Sequence, residues 1–376
     1  MSGLYIHIPF CKQKCHYCDF HFSVSQRQLP DMVGAIQSEL ELRKDEWDQP
    51  LETIYFGGGT PSLLSKSQLS GIFETIHKSY KVIPNPEITL EANPDDLSDS
   101  FLKDLTELPI NRLSIGVQSF HQKDLEWMHR AHDSKEALNA IKLAQDIGFK
   151  NLTIDLIYGL PESTPEEWQK NLEIFFSLDI PHLSAYALTV EPYTALSHLI
   201  KKGTVQQPKD DKALADYKFL IHTMKDHGYE HYEISNFALP EHYAVHNTAY
   251  WQGKSYLGIG PSAHSYHGNI RSWNIANNSK YIKAIASGQL PSEKEILTTN
   301  DRFNEYLMTG LRTQWGINTE EIQDRFGAKY YKHFLEQLAS HKLAKYFIWE
   351  NEKQVKIMEE GLFFADSIIA DLFYID

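Results

Sequence analysis

The chain has 376 residues, enough for two or three domains at roughly 150 residues each and for a large core without disulfide staples. Asp and Glu total 50 against 36 Lys and Arg, a net charge of −14; this excludes a general nucleic-acid binder, which needs a positive field to release counterions. No run of about 18 apolar residues exists, which excludes a helical membrane span, and Met1-Ser2-Gly3-Leu4-Tyr5 lacks the basic-then-apolar pattern of a signal peptide, so a cytoplasmic chain is expected.

In chain order, short β-branched or aromatic runs predict strands at 4–8, 53–56, 87–91, 112–117, 151–156 and 182–188. Helical patterns follow at 31–47, 66–80, 99–108, 134–147, 165–178 and 209–226. Ser65, Ser98 and Thr164 stand where N-caps belong, and Gly148 and Gly228 follow helical runs as C′ glycines do. Six βα units predict an α/β fold, a parallel sheet with right-handed crossovers closed part-way into a (β/α)6 barrel, because a full barrel needs eight. Residues 1–229 would form that body. Residues 230–299, rich in His, Asn, Tyr, Trp and Gly without clean periodicity, would form a connecting segment. Residues 300–376 resemble a small winged-helix-like domain, with helices at 302–312, 319–326 and 329–341 and paired strands at 345–349 and 354–357. Function is expected at the C-terminal strand ends, where 10–18, 57–61, 91–94, 118–120 and 155–161 fall.

The three cysteines of the chain, Cys11, Cys15 and Cys18, form Cys-x3-Cys-x2-Cys after the first strand. Thiolates suit an iron–sulfur cluster or zinc. Structural zinc wants four closed ligands, and with no second cysteine pair the fourth would come from His7, His16 or His21. Three thiolates on a four-iron cluster leave one iron open.

Tyr5-Ile6-His7-Ile8-Pro9-Phe10-Cys11 through Tyr17-Cys18 resembles the signature of radical S-adenosylmethionine (SAM) enzymes, and within them the oxygen-independent coproporphyrinogen III oxidase group. The resemblance covers at least residues 4–310. It implies a radical-SAM barrel in which Cys11, Cys15 and Cys18 hold a 4Fe–4S cluster fed by an electron donor. The open iron chelates the amine and carboxylate of S-adenosyl-L-methionine, and one electron cleaves that cofactor to methionine and a 5′-deoxyadenosyl radical. Gly58, Gly59 and Thr60, in Gly57-Gly58-Gly59-Thr60-Pro61, match the element that meets the methionine amine; read alone, the glycines are equally a tight turn. By the same resemblance Glu91, Gln118, Arg130 and Asp155 complete the cofactor shell, with Arg130 suited to a carboxylate and Asp155 near the ribose. Tyr5 and Tyr17 match cofactor-contacting positions, although an aromatic at either place also reads as core.

Two departures from the oxidases stand out. Their fourth cysteine, two residues after the last cluster ligand, is Phe20 here, and the motif begins at residue 5 without their N-terminal extension. His246-Asn247-Thr248-Ala249-Tyr250-Trp251 is similar to the His-Asn-x-x-Tyr-Trp element of the HemW branch of haem chaperones. That resemblance implies haem as cargo, with His246, Asn247, Tyr250 and Trp251 as candidate contacts, and respiratory proteins as recipients. An imidazole can ligate haem iron and aromatic faces can pack on a porphyrin; a hydrogen-bonded structural corner is the other reading of the same residues.

Overall fold

The computed structural model describes residues 2–340 and 342–375. Six parallel strands stand side by side in chain order: β1 (Ser2–Ile8), β2 (Leu51–Gly58), β3 (Val82–Ala92), β4 (Arg112–Gln118), β5 (Asn151–Tyr158) and β6 (His182–Ala187). Between and after them run α1 (Leu29–Leu42), α2 (Lys66–Ser79), α3 (Asp99–Thr106), α4 (Gln122–Met128), α5 (Ser134–Ile147), α6 (Pro165–Ser177), α7 (Ala195–Lys201) and α8 (Asp210–Asp226). The result is the expected α/β partial barrel. Ser65, Ser98 and Thr164 do cap their helices, Ser65 and Thr164 within capping boxes, and Asp133 with Glu136 makes another at the head of α5. Gly148 ends α5 at φ 115°, a conformation that a side chain disfavours. The first helix is shorter than its periodicity suggests, giving way after Leu42 to a single 3-10 turn at Lys44–Glu46.

Alternation along the strands separates two faces. Leu4, Ile6, Ile54, Phe56, Leu90, Leu113, Ile115, Leu152, Ile154 and Leu183 are buried in one apolar core with the helices. The opposite positions carry Tyr5, His7, Tyr55, Glu91, Ser114, Asp155, Ser184 and Tyr186. Tyr55 donates to Glu91, and Ser114 to Asp155, so these side chains share the inner face of the barrel.

The sheet does not stop at residue 229. β7 (Glu230–Glu233) and β8 (Asn236–Ala238) add antiparallel to β6. After the short helix α9 (Val245–Trp251) comes β9 (Ser255–Ile259), which pairs parallel to β1, and then β10 (His264–His267) and β11 (Ile270–Asn274). Helix α10 (Asn278–Ala286) and β12 (Ser292–Ile296) follow, for twelve strands in the order β12-β11-β10-β9-β1-β2-β3-β4-β5-β6-β8-β7. The segment 230–299, read as a connector, thus supplies both edges. Its strands are three to five residues long and carry His, Tyr, Trp and Asn in place of aliphatic runs, so they lack an alternating signature. The edge strand β12, Ser-Glu-Lys-Glu-Ile, is charged and exposed, as an edge must be to avoid pairing with another chain.

The C-terminal module contains α11 (Thr299–Gly310), the short β13 (Ile317–Asn318), α12 (Thr319–Phe326), α13 (Ala328–Leu338), β14 (Phe347–Glu350) and β15 (Gln354–Ile357). Its three strands form a separate sheet, β13-β15-β14, over a core of its own that includes Phe303, Leu307, Phe334, Val355 and Ile369. Three of its helices and the small β wing fall where they are expected, while two short helices, α14 (Glu359–Leu362) and α15 (Ala365–Ala370), are additional; the last residue of the expected third helix, His341, lies outside the described residues. Among the described residues no helix is long and apolar enough to cross a membrane.

Candidate functional site

The cysteine loop leaves β1 at its C-terminal end and returns beside it. Ser23 N donates to Pro9 O at 2.9 Å and Cys11 N to Ser23 O at 3.1 Å, which closes the loop at its base. Lys12 pairs with Asp95 at 2.7 Å and with Asp96, and Gln13 Nε2 donates to His129 O at 3.0 Å. His16 stacks on His129 with ring centroids 5.0 Å apart, and His16 N donates to Met128 O. The ends of β1 and β3 and the C-terminal end of α4 therefore grip one loop. Cys11, Cys15 and Cys18 are free and half-buried in it. Burial pushes the Cys11 and Cys18 thiols up to about 11, so any metal group held by them would have to displace their protons. Among the described residues no group of three or more His, Cys, Asp or Glu side chains stands close enough together to hold a single metal ion.

The glycine turn after β2 packs directly under this loop. A Cβ on Gly59 would stand 2.5 Å from Phe10 O and 2.8 Å from both Ile8 O and Phe10 N, all backbone atoms. Gly58, at φ 109°, has the His7 ring where its Cβ would be. Its N–H donates to Glu91 Oε2 at 3.2 Å, and Tyr55 Oη donates to Glu91 Oε1 at 2.8 Å. Thr60 is buried and accepts from Asn93 Nδ2 at 3.2 Å. Burial raises the Glu91 carboxyl to about 7, opposed by the Tyr55 hydrogen bond. Burial likewise raises Asp155 to about 6, opposed by Ser184. Two carboxyls whose charge is disfavoured in the ligand-free chain form a receptive site for a cation.

Arg130 lies across the mouth. Its Nη1 donates to Cys15 Sγ at 3.4 Å and its Nη2 to Asn93 Oδ1 and Gly116 O, both at 2.7 Å, while its buried Nε has no partner. Gln118 is buried at φ 69° beside it; a Cβ on Gly116 would meet Gln118 Nε2 at 3.0 Å and an Arg130 nitrogen at 3.3 Å. Tyr5 stacks on Tyr55 and its hydroxyl lies 3.0 Å from His7 Nδ1. Tyr17 packs with the small cluster of Leu125, Met128, Leu160 and Leu196. Tyr5, Gly58 and Glu91 line one cavity, and Thr60 and Arg130 meet at Asn93 beside Cys15. Tyr55 and Asn93 also meet these residues, although neither carries a role in the motif reading; each stands two residues from a recognised position, Gly57 and Glu91, on the same face.

A cavity of about 450 Å3 opens here, lined by Tyr5, His7, Phe20, Gly58, Glu91 and Tyr250 among others. Residues 5–175 match the Radical SAM superfamily. The E. coli coproporphyrinogen III oxidase HemN, a radical SAM enzyme, superimposes with a TM-score of 0.85 over 99% of this chain and 90% of that one, at 25% identity. The haem chaperone HemW of Bacillus subtilis is 37% identical over 331 residues, 87% of each chain. HemW of Lactococcus lactis is 33% identical over 98% of this chain and 96% of its own. The chain belongs to the HemW family.

In this HemW-family chain the His-Asn-x-x-Tyr-Trp element forms α9, and its first turn is held by Glu87, which accepts from Val245 N at 3.0 Å and His246 N at 2.9 Å. His246 is buried; its Nδ1 lies 2.7 Å from Thr53 Oγ1 and its Nε2 3.1 Å from Tyr250 Oη, and its ring stacks on Tyr55 at 5.0 Å. Burial pushes it down to about 3, keeping it neutral. Both ring nitrogens are engaged inside the protein, so His246 offers no free ligand, and the corner reading describes it. Tyr250 reaches the cavity. Asn247 is half-buried on the same helix. Trp251 turns away to the C-terminal module, where the Arg312 guanidinium sits 5.2 Å over its ring and also pairs with Asp366. Arg312 O accepts from Ile234 N, and Gln314 N donates to Tyr232 O, at the same seam. Trp251→Ala is accordingly expected to lower stability by about 1–2 kcal/mol, less than a fully buried Trp because the ring is half exposed. Thermal unfolding checks this; an unchanged midpoint with weakened haem binding would return Trp251 to the haem pocket.

Proposed function

We propose that this chain is a cytoplasmic haem chaperone that carries a 4Fe–4S cluster and S-adenosylmethionine, binds haem and passes it to respiratory haem proteins. Cys11, Cys15 and Cys18 would hold the cluster, which supplies one-electron chemistry and an open iron for the methionine amine and carboxylate. Support for that fit comes from a thiol set gripped from two strand ends and the end of α4, and from the orphaned Nε of Arg130 beside Cys15.

The chain's own groups divide the cofactor between them. Gly58 and Gly59 leave room for the methionine end against backbone. Glu91 and Asp155 present carboxylates to the ammonium and sulfonium charges and the ribose. Arg130 and Gln118 answer the carboxylate, an ion pair strengthened by exclusion of water. Tyr5 and Tyr17 wall the site.

The fold serves oxidase and chaperone alike, so the choice between them rests on chemistry. The observation that carries it is Phe20, standing where the oxidase group is expected to have its fourth cysteine. The ring is 68% exposed and borders the cofactor cavity, an apolar wall where a thiol would otherwise be available. Anaerobic incubation of the reconstituted protein with coproporphyrinogen III, S-adenosylmethionine and a reductant is expected to yield no protoporphyrinogen; its accumulation would establish the decarboxylase in place of the chaperone. The −14 charge disfavours attraction to an anionic membrane surface, so hand-over would run through contact with the recipient protein, and a separate electron donor would serve the cluster.

A pH dependence follows from Glu91. In the ligand-free chain its carboxyl titrates near 7 because it is buried, and a cationic ligand favours the ionised form. Cofactor affinity should therefore rise with pH up to about 7 and level off above, with a slope approaching one decade per unit below. Glu91→Gln should flatten that profile, leaving only the part that Asp155 contributes below about 6. Equilibrium dialysis at pH 5.5 to 8.5 checks it; a wild-type affinity independent of pH would remove Glu91 from the site.

A further inference from the structure

The first cavity shares Tyr5, Gly58 and Glu91 with the cofactor shell. A second groove of about 700 Å3 lies on the other side of Phe20, between the cysteine loop and the loop after β6. Its lining includes Lys14, Phe20, Phe22, Val24, Pro192 and Tyr193, and with them the thiol-bearing Cys18. The size falls within the roughly 300–1,000 Å3 of pockets that take a cofactor-sized ligand.

Five large apolar side chains are more than half exposed among the described residues, Phe20, Val24, Tyr193, Ile296 and Ile375, and three of the five line this one groove. Clustered exposure of that kind marks a binding face, since scattered single residues are the ordinary case. Tyr193 is fully exposed and sits at φ 67°, a left-handed conformation that a tyrosine adopts only under constraint. The constraint is visible next to it. Thr194 caps α7 by accepting from Ser197 N, and Leu196 N donates to His16 O at 2.7 Å, tying the two walls of the groove together. Lys14 stands at the rim as a cation on a chain of net charge −14, where a carboxylate-bearing ligand needs a local positive partner; Asp19 shares the rim.

We propose that this groove is the haem seat, the macrocycle packing among Phe20, Phe22, Val24, Pro192 and Tyr193 with a propionate toward Lys14, directly beside the cluster thiol Cys18. The site rests on the haem-chaperone reading above and is separate from the α9 element, whose histidine is fully engaged. Phe20 then serves as the partition between haem groove and cofactor cavity, bordering both.

The test is a titration of anaerobically reconstituted full-length protein with ferric haem, read by the Soret band and by quenching of tryptophan fluorescence, with circular dichroism and iron content as controls. Val24→Glu combined with Tyr193→Glu, both at exposed positions outside the cluster ligands, should weaken haem at least tenfold while iron content and spectrum of the cluster persist. Val24→Leu should bind as wild type does. Lys14→Met should cost about two- to five-fold, the scale of an exposed ion pair. Wild-type affinity in the double glutamate variant, with haem still bound by the unmodified protein, would overturn the groove alone. No Soret change in the unmodified protein would overturn the chaperone reading itself, and the groove with it.

Discussion

Replacing Cys15 with alanine is expected to give a folded chain without the brown iron–sulfur absorption of the reconstituted protein. Two remaining thiols cannot hold a cube that needs three protein ligands with one iron left open, so bound iron should fall from about four per chain toward none. The fold should survive, because the loop is secured by Lys12 on Asp95, Gln13 on His129 O and the Ser23–Pro9 closure, none of which involves the thiol. Loss of the sulfur removes only the 3.4 Å contact with Arg130, whose Nη2 keeps Asn93 and Gly116. Visible absorption, iron analysis and circular dichroism decide the matter. Wild-type iron content in Cys15→Ala would refute the three-ligand assignment.

Gly59→Ala should be nearly as damaging for a purely steric reason. The added methyl would meet three backbone atoms of residues 8 and 10 within 2.8 Å, and backbone cannot swing aside as a side-chain tip can. Overpacking of this kind costs about 1–3 kcal/mol, and the strand end that must yield carries Phe10 and Cys11. Cluster loading is therefore expected to fall severalfold along with the unfolding midpoint. Gly34→Ala is the contrasting case. Gly34 lies exposed in α1 with open space around its missing Cβ, so alanine there should gain up to ~1 kcal/mol through helix propensity. Equal destabilisation by both substitutions would mean that the close approach of Gly59 to the cysteine loop is not what makes it glycine.

The parallel half of the molecule was legible because its signals are local. Aliphatic runs such as 151–156 and caps such as Thr164 act over a few residues, and the structure matches them closely. The thiol trio is legible for the same reason, all three within eight residues. Lys12 is not, since its meaning lies in Asp95 and Asp96, more than eighty positions away. Nor are β7 to β12, whose pairing is set by neighbours from the far side of the sheet. The clearest gap concerns α9. From sequence, His246 is an imidazole able to bind iron; in the fold, Thr53 and Tyr250 take its two nitrogens, and Glu87 holds the helix that carries it. Only the fold brings together those partners, which come from β2, β3 and the end of α9 itself. Phe20 shows the converse. The sequence marks it only as the residue in place of a cysteine, and the fold adds that it stands exposed between two cavities.

The central claim is that a radical SAM scaffold here binds haem as cargo. The most direct measurement is the Soret-band titration of the anaerobically reconstituted chain with ferric haem, with iron–sulfur content measured on the same sample. The account predicts saturation at one haem per chain with the cluster intact. A spectrum that stays that of free haem throughout would contradict it.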